Sequence, residues 1–315
     1  MPPKPVNLKN NWLDFSIFVL ILLLNLFWLP TFSFWNIYPS PFFSSRNRQL
    51  LDFKSPPTPV IKMSSAPTVL ADSYILVDVA TNKILSSKNA SQKIYPASTT
   101  KLATALTALN LYPLDEIVTV NQTYHEGKVM ELKLGEKITV KSLVTALLVN
   151  SANDSAFTLA DHYQHGSSIG FVEQMNLITN RYGLKHTNFI NVDGIHHPNH
   201  FSTVYDLSQL GRISIKNPTL RELVKIKDGL VSDVTNTIHH PISSTNELLG
   251  VTPEIIGLKT GWTPEAKGCF IGLLDINGHE VISVVAQTDD RFQDTKNLID
   301  WVKNNVSWAN HQFEI

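Results

Sequence analysis

With 315 residues, 43% of them hydrophobic, the chain can bury one large core or two smaller ones. A formal net charge of −1 leaves no basic footprint, so no nucleic-acid partner is expected. The lone cysteine, Cys269, excludes an intrachain disulfide and a cysteine-based metal cluster, and the apolar run "CFIGLL" that begins at it marks it as core filler.

Residues 1–13 read as a short tail carrying Lys4 and Lys9. No charged residue occurs from Phe15 to Ser45, and "FSIFVLILLLNLFWLPTFSFW" (15–35) is dominated by large apolar side chains. As a helix it would span about 30 Å, one hydrocarbon core. The next basic residues, Arg46 and Arg48, come well after it. This pattern predicts a transmembrane anchor over 14–36, with the N-terminus cytoplasmic and the remainder outside. A cleaved signal segment is the competing reading, with Thr31-Phe32-Ser33 as its best cleavage pattern. Both readings export the domain. Residues 37–67 hold six of the 17 prolines and read as an extended linker. The globular part is expected over 68–310, with 311–315 a tail.

Within it, "SYILVDVATNKILSSKN" (73–89) predicts a hairpin turning near Thr81-Asn82. "PASTTKLATAL" (96–106) starts a helix, since Leu102, Ala105, Leu106 and Leu109 recur at helical spacing. Helical patterns follow at 140–150, 154–163 and 171–183. Strand character returns at "EIIGLKTG" (254–261), and "GCFIGLLDINGHEVISVVAQ" (268–287) forms two apolar runs around Asn277-Gly278, a strong hairpin signal. A closing helix over 294–306 is expected to be capped by Asp294. The order predicts an α/β (α+β) domain: one antiparallel sheet joining early and late strands, covered by helices, with an inserted helical lobe.

Three short motifs carry chemistry. Ser98 and Lys101 lie one helical turn apart, so the amine can reach the hydroxyl and, if burial or a nearby cation strips its proton, act as its base. A serine at a helix start also brings a free backbone N–H for an oxyanion. Ser151-Ala152-Asn153 sits in the break between two apolar helical segments; S-x-N also occurs at Ser45, Ser87 and Ser244, so setting rather than pattern singles out this copy. Lys259-Thr260-Gly261 ends an apolar strand, where a lysine, a hydroxyl and a glycine can receive an extended peptide and a terminal carboxylate. The histidines His196, His197, His200, His239 and His240 show no H-E-x-x-H or comparable spacing, and no metal or other cofactor is expected.

Taken in chain order from Ser98 through Ser151 to Lys259, the set S-x-x-K, S-x-N, K-T-G resembles that of penicillin-binding proteins and serine β-lactamases. It is most similar to exported serine-type D-alanyl-D-alanine carboxypeptidases, through "YPASTTKLATAL", "LLVNSANDSAFTLADH", "FVEQMN", "HFSTVYDLSQL" and "GLKTGWTPEAKGCF", from about Tyr74 to Trp301. Two departures are visible: Trp262 stands where histidine or another aromatic is common, and Lys267-Gly268 inverts the usual glycine-first order.

The resemblance implies the β-lactamase/transpeptidase-like fold and an acyl-enzyme on Ser98, with Lys101 as base. Ser151 and Asn153 would relay protons and position the substrate amide. Lys259 would keep Lys101 unprotonated through its charge. The N–H groups of Ser98 and Trp262 would form the oxyanion hole, with Thr260, Gly261 and Arg291 at the substrate's terminal carboxylate. The implied partners are peptidoglycan stem peptides and β-lactams as inhibitors, besides the membrane at the N-terminus. Other readings on this fold are a β-lactamase, for which Glu126 and Glu131 lie between the first two motifs, a D,D-endopeptidase, and a non-catalytic wall-binding or β-lactam-sensing protein.

Overall fold

The computed structural model describes residues 55–62 and 65–309. The expected tail and anchor over 1–36, much of the linker and the 311–315 tail therefore lie outside the described residues. Strand β1 (Thr58–Ile61) is followed by a hairpin of β2 (Ser73–Asp78) and β3 (Ile84–Lys88). A 3-10 turn, Ala97–Thr100, runs directly into α1 (Lys101–Leu111). Short strands β4 (Ile117–Thr119) and β5 (Lys137–Thr139) lead to α2 (Val140–Val149), α3 (Asn153–Asp161) and α4 (Ser168–Arg181). Then come α5 (Val204–Ser214), α6 (Pro218–Leu223) and a small hairpin of β6 (Asp228–Ser232) and β7 (His239–Ser243). Strands β8 (Ile255–Thr263), β9 (Lys267–Ile276) and β10 (His279–Thr288), helix α7 (Arg291–Asn305) and β11 (Val306–Ala309) complete the domain.

The main sheet has the order β3-β2-β10-β9-β8 and is antiparallel throughout, so the early hairpin does join the late strands. Its two faces follow from the period of two along each strand. Ile75, Val77, Ile271, Leu273, Ile282 and Val284 face a core shared with Leu102 and Leu106 of α1 and Leu207 and Leu210 of α5. Tyr74, Leu76, Phe270, Leu274, Val281 and Val285 face the other way, onto Leu298, Ile299 and Val302 of α7. Both faces are thus covered, which is why β2 is buried along its whole length and its middle, Tyr74 to Val77, reads as an apolar run without alternation. The lobe of α1 to α4 is inserted in sequence between β3 and β8, and β8 is left as an edge strand.

Asn277 and Gly278 have φ of 54° and 83°, the left-handed pair that a two-residue hairpin turn requires. The closing helix differs from expectation. It begins at Arg291, and its cap is Asp290, whose Oδ1 accepts from the N–H groups of Phe292 and Gln293 at 3.1 and 2.9 Å. Asp294 is instead buried inside the first turn. Its carboxylate accepts from Leu70 N, Ala71 N and the Thr288 hydroxyl at 2.7, 2.9 and 2.6 Å. A capping-type residue in the right place was diverted to tie down the segment before β2, at the far end of the domain's sequence. The linker expectation also changes at its described end, because residues 58–61 pair with β11.

Candidate active site

Ser98 is the second residue of the 3-10 turn that feeds α1. Ala97 before it has φ +47°, a conformation that non-glycine residues adopt at a cost. The three-residue spacing brings Lys101 Nζ to 3.0 Å from Ser98 Oγ. The same amine donates to the Asp193 carbonyl oxygen at 2.7 Å. Lys101 is fully buried, and among the described residues no carboxylate is ion-paired to it. Burial lowers its pKa to about 8, while the charge of Asp193 pulls it back up.

Ser151 occupies the short break between α2 and α3 with φ +60°. Its Oγ accepts from Lys259 Nζ at 3.0 Å, and that amine also donates to the Thr260 carbonyl oxygen at 3.1 Å. Lys259 is 1% exposed. Its pKa is driven well below the ordinary lysine value, first by burial and then by the neighbouring cations Lys101, Lys128 and Arg291. Two buried amines therefore face two hydroxyls, and each amine has only neutral acceptors. The resemblance implied that the charge of Lys259 keeps Lys101 bare. The structure makes burial the first cause for both amines; the charge of Lys101 lowers Lys259, whereas the charge acting on Lys101 is that of Asp193, which raises it.

Asn153 opens α3. Its Nδ2 donates to the Glu126 carbonyl at 2.9 Å and its backbone N–H to the Lys128 carbonyl at 2.7 Å. The adjacent Asp154 carboxylate takes Met130 N and Leu132 N, both at 3.1 Å. The loop over 126–132 is thereby fastened along the cleft wall. On the opposite wall, Thr260 of β8 places its Oγ1 2.6 Å from that of Thr245. Gly261 is required by packing within the fold. A Cβ there would lie 2.9 Å from Ser98 N and 3.0 Å from Pro96 O, so the missing side chain lets β8 abut the nucleophile turn. Gly194 does the same from the other side, at φ +87°, with a Cβ position only 1.9 Å from Ala97 O. Trp262 stands at the rim, 60% exposed. Arg291, the first residue of α7, is half-buried with its guanidinium 4.5 Å over the Phe292 ring, and its Nε is buried without a hydrogen-bond partner among the described residues.

Ser98, Ser151, Asn153, Thr260, Gly261, Trp262 and Arg291 line one cavity of about 470 Å³. Lys101 and Lys259 reach it from beneath through their bonds to the two serines. All nine sequence-predicted positions thus converge. Sequence reasoning missed Lys128, Asp193, Gly194 and Thr245, which line the same cavity, as does Glu126. Of these only Asp193-Gly194 carries a local signal, a turn dipeptide, and nothing in its spacing ties it to Ser98. His200 is buried and accepts from Ile190 N through Nδ1 at 3.2 Å, with Nε2 2.8 Å from the Thr100 hydroxyl. Burial and its neighbours His197, His196 and Lys101 lower its pKa to about 3, so it is a neutral buttress of the α1 start. Cys269 is fully buried, and burial raises its thiol to about 11, as a core residue rather than a nucleophile.

A hydroxyl with an unpaired buried amine in reach, beside a second such pair and an open sheet edge, defines a serine acyl-transfer site on an α/β scaffold. Comparison with known proteins agrees. Residues 61–290 match the family model described as D-alanyl-D-alanine carboxypeptidase. A D-alanyl-D-alanine carboxypeptidase of Streptomyces sp. strain K15 is 33% identical over 249 residues, covering 73% of this chain and 84% of that one. The carboxypeptidase DacC of Escherichia coli K12 is 33% identical over 254 residues, covering 75% of this chain and 62% of its own length. The crystal structure of the Streptomyces K15 DD-transpeptidase superposes with a TM-score of 0.70 at 30% identity, covering 76% of this chain and 98% of that one. The chain belongs to the serine-type D-alanyl-D-alanine carboxypeptidase family, with its penicillin-binding, transpeptidase-like fold, and is a hydrolase of that class.

Proposed function

We propose that this enzyme removes the terminal D-alanine from peptidoglycan stem peptides through an acyl-enzyme on Ser98, and that penicillins acylate the same serine. One observation carries the reading: the Ser98–Lys101 and Ser151–Lys259 pairs, each at 3.0 Å, border the same cavity. Lys101, its pKa lowered by burial to about 8, takes the Ser98 proton in its neutral form as Oγ attacks the penultimate carbonyl carbon. The oxyanion is met by the N–H groups of Ser98 and Trp262. Collapse breaks the C–N bond, and Ser151, with Lys259 behind it and Asn153 beside it, passes a proton to the departing D-alanine nitrogen. Water then cleaves the ester and restores Ser98. Thr260 and Arg291 hold the terminal carboxylate, and the edge position of β8 suits an extended peptide laid alongside it. Likeness to the Streptomyces K15 DD-transpeptidase favours a second acceptor on the same acyl-enzyme, an amine in place of water.

The uncharged run over 15–35 and the basic residues flanking it support an exported domain anchored at its N-terminus, with the active site outside the cytoplasm. The test uses the full chain with a fluorescent penicillin and then with pentapeptide muropeptides. Stable labelling with release of free D-alanine supports the proposal. Rapid penicillin turnover without D-alanine favours a β-lactamase, and no labelling at all returns the chain to a binding module.

A further inference from the structure

The contact between Thr245 and Thr260 is explained by none of the three motifs. Thr245 belongs to Ser244-Thr245-Asn246, a copy of S-x-N that its spacing gave no reason to single out. It follows β7, in the loop that leads back to β8. Its backbone N–H donates to the Val149 carbonyl at 3.2 Å, which ties this loop to the end of α2, just ahead of Ser151. The loop is braced further by Asn246 N on Ser244 Oγ and by Leu248 N on Asn246 Oδ1, each at 3.2 Å. Thr245 is therefore held from the helical side of the cleft. Its hydroxyl meets Thr260, on the sheet side, at 2.6 Å.

Two hydroxyls at that distance share one hydrogen bond, so one donates and the other accepts. Each threonine brings a single proton. With an anion against Thr260, the arrangement that uses both protons has Thr245 donating to Thr260 and Thr260 donating outward. A hydroxyl that accepts one hydrogen bond while donating another is polarised and becomes a better donor. Without the Thr245 proton, the Thr260 hydroxyl can turn away from the ligand. Arg291, whose buried Nε has no hydrogen-bond partner among the described residues, lines the same cavity as both threonines.

We infer that Thr245 is a positioning residue for the substrate's free terminal carboxylate, acting through the Thr260 hydroxyl and favouring acyl donors that end in a carboxylate over those that end in an amide. The inference rests on the carboxypeptidase reading and deepens it. The role is one of binding rather than bond-making, so its removal should raise KM and leave kcat unchanged.

The test compares wild type with Thr245→Val, which keeps the shape, Thr245→Ala, which also lacks the hydroxyl, and Thr245→Ser, which retains it. Substrates are a peptide ending in D-alanyl-D-alanine and its C-terminal amide, with rates normalised to the serine titrated by fluorescent penicillin. Loss of one neutral hydrogen bond, and with it the polarisation of the Thr260 hydroxyl, predicts a KM for the acid raised roughly fivefold in both hydroxyl-free variants, with kcat within twofold. The amide should change by less than twofold, and serine should restore the wild-type value. The inference is overturned if KM for the acid stays within twofold of wild type in the hydroxyl-free variants, or if acid and amide weaken equally. It is also overturned if serine fails to rescue. A wild-type enzyme that binds penicillin yet releases no D-alanine overturns the carboxypeptidase reading, and this inference with it.

Discussion

Two buried charge-bearing centres sit within one domain and do opposite things. Asp294, 1% exposed, receives three hydrogen bonds, two from backbone N–H groups of the segment before β2 and one from Thr288. Lys101 and Lys259, no more exposed, have only hydroxyl and carbonyl acceptors and stand near each other and near further cations. A buried carboxylate surrounded by donors is satisfied and holds the chain together. A buried amine with neutral acceptors and cationic neighbours favours losing its proton. Burial alone separates neither case from the other; the sign and number of partners do. One centre is structural because its charge is met by a full set of donors. The other is reactive because burial acts on amines that have only neutral hydrogen-bond acceptors, with nearby cations adding to the effect at Lys259.

The contrast can be broken most directly at the nucleophile. Ser98→Ala should abolish fluorescent-penicillin labelling while the thermal midpoint moves by no more than about 2 °C, since only a half-buried hydroxyl is lost. Labelling that persists would remove the reactive centre from this cleft. Next, Lys101→Met keeps the aliphatic volume and deletes the amine. Acylation by penicillin should fall about 10³-fold, the scale of a lost general base, with a thermal midpoint no lower than wild type. A variant that unfolds instead would make Lys101 a structural residue like Asp294.

Asp294→Ala is the reciprocal test and should cost about 3 kcal/mol of stability in denaturant melts, because buried donors are left without acceptors. The acylation rate per folded molecule should stay within twofold. A large loss of rate at unchanged stability would erase the distinction between the two centres.

The smallest effect is in pH. With Lys101 at about 8, the acylation rate should climb with pH and reach half its plateau near 8. In the folded protein the amine holds its proton less firmly than in the unfolded chain. Between about 8 and the ordinary 10.5 the unfolded chain therefore binds more protons, and this group makes stability rise with pH across that window. A rate flat from pH 6 to 10 would mean that Lys101 does not deprotonate in the step measured.

Much of this was legible along the chain because it depends on local periodicity. The helical repeat placed α1, and with it the Ser98–Lys101 pair. The alternation and the Asn-Gly turn placed β9 and β10. The helix break at Ser151 was visible because two apolar runs stop and restart there. The β6–β7 hairpin, the short pair β4–β5 and the β1–β11 ribbon were not visible. Their strands are too short for a period to register, and their stability comes from the partner strand.

The sequence by itself determined which residue types could do the chemistry and that a helix start, a helix break and a strand edge would carry them. Tertiary structure alone decided that Asp294 would tie down a distant segment rather than cap a helix, and that Gly261 would be needed by the Ser98 turn. It alone supplied Asp193, Gly194 and Thr245 to the cleft. Those outcomes depend on which backbone groups and side chains meet across long separations along the chain. A local pattern sets the direction in which a side chain leaves its own element, whereas the partner it finds, and so the proton it keeps or loses, is set by packing between elements.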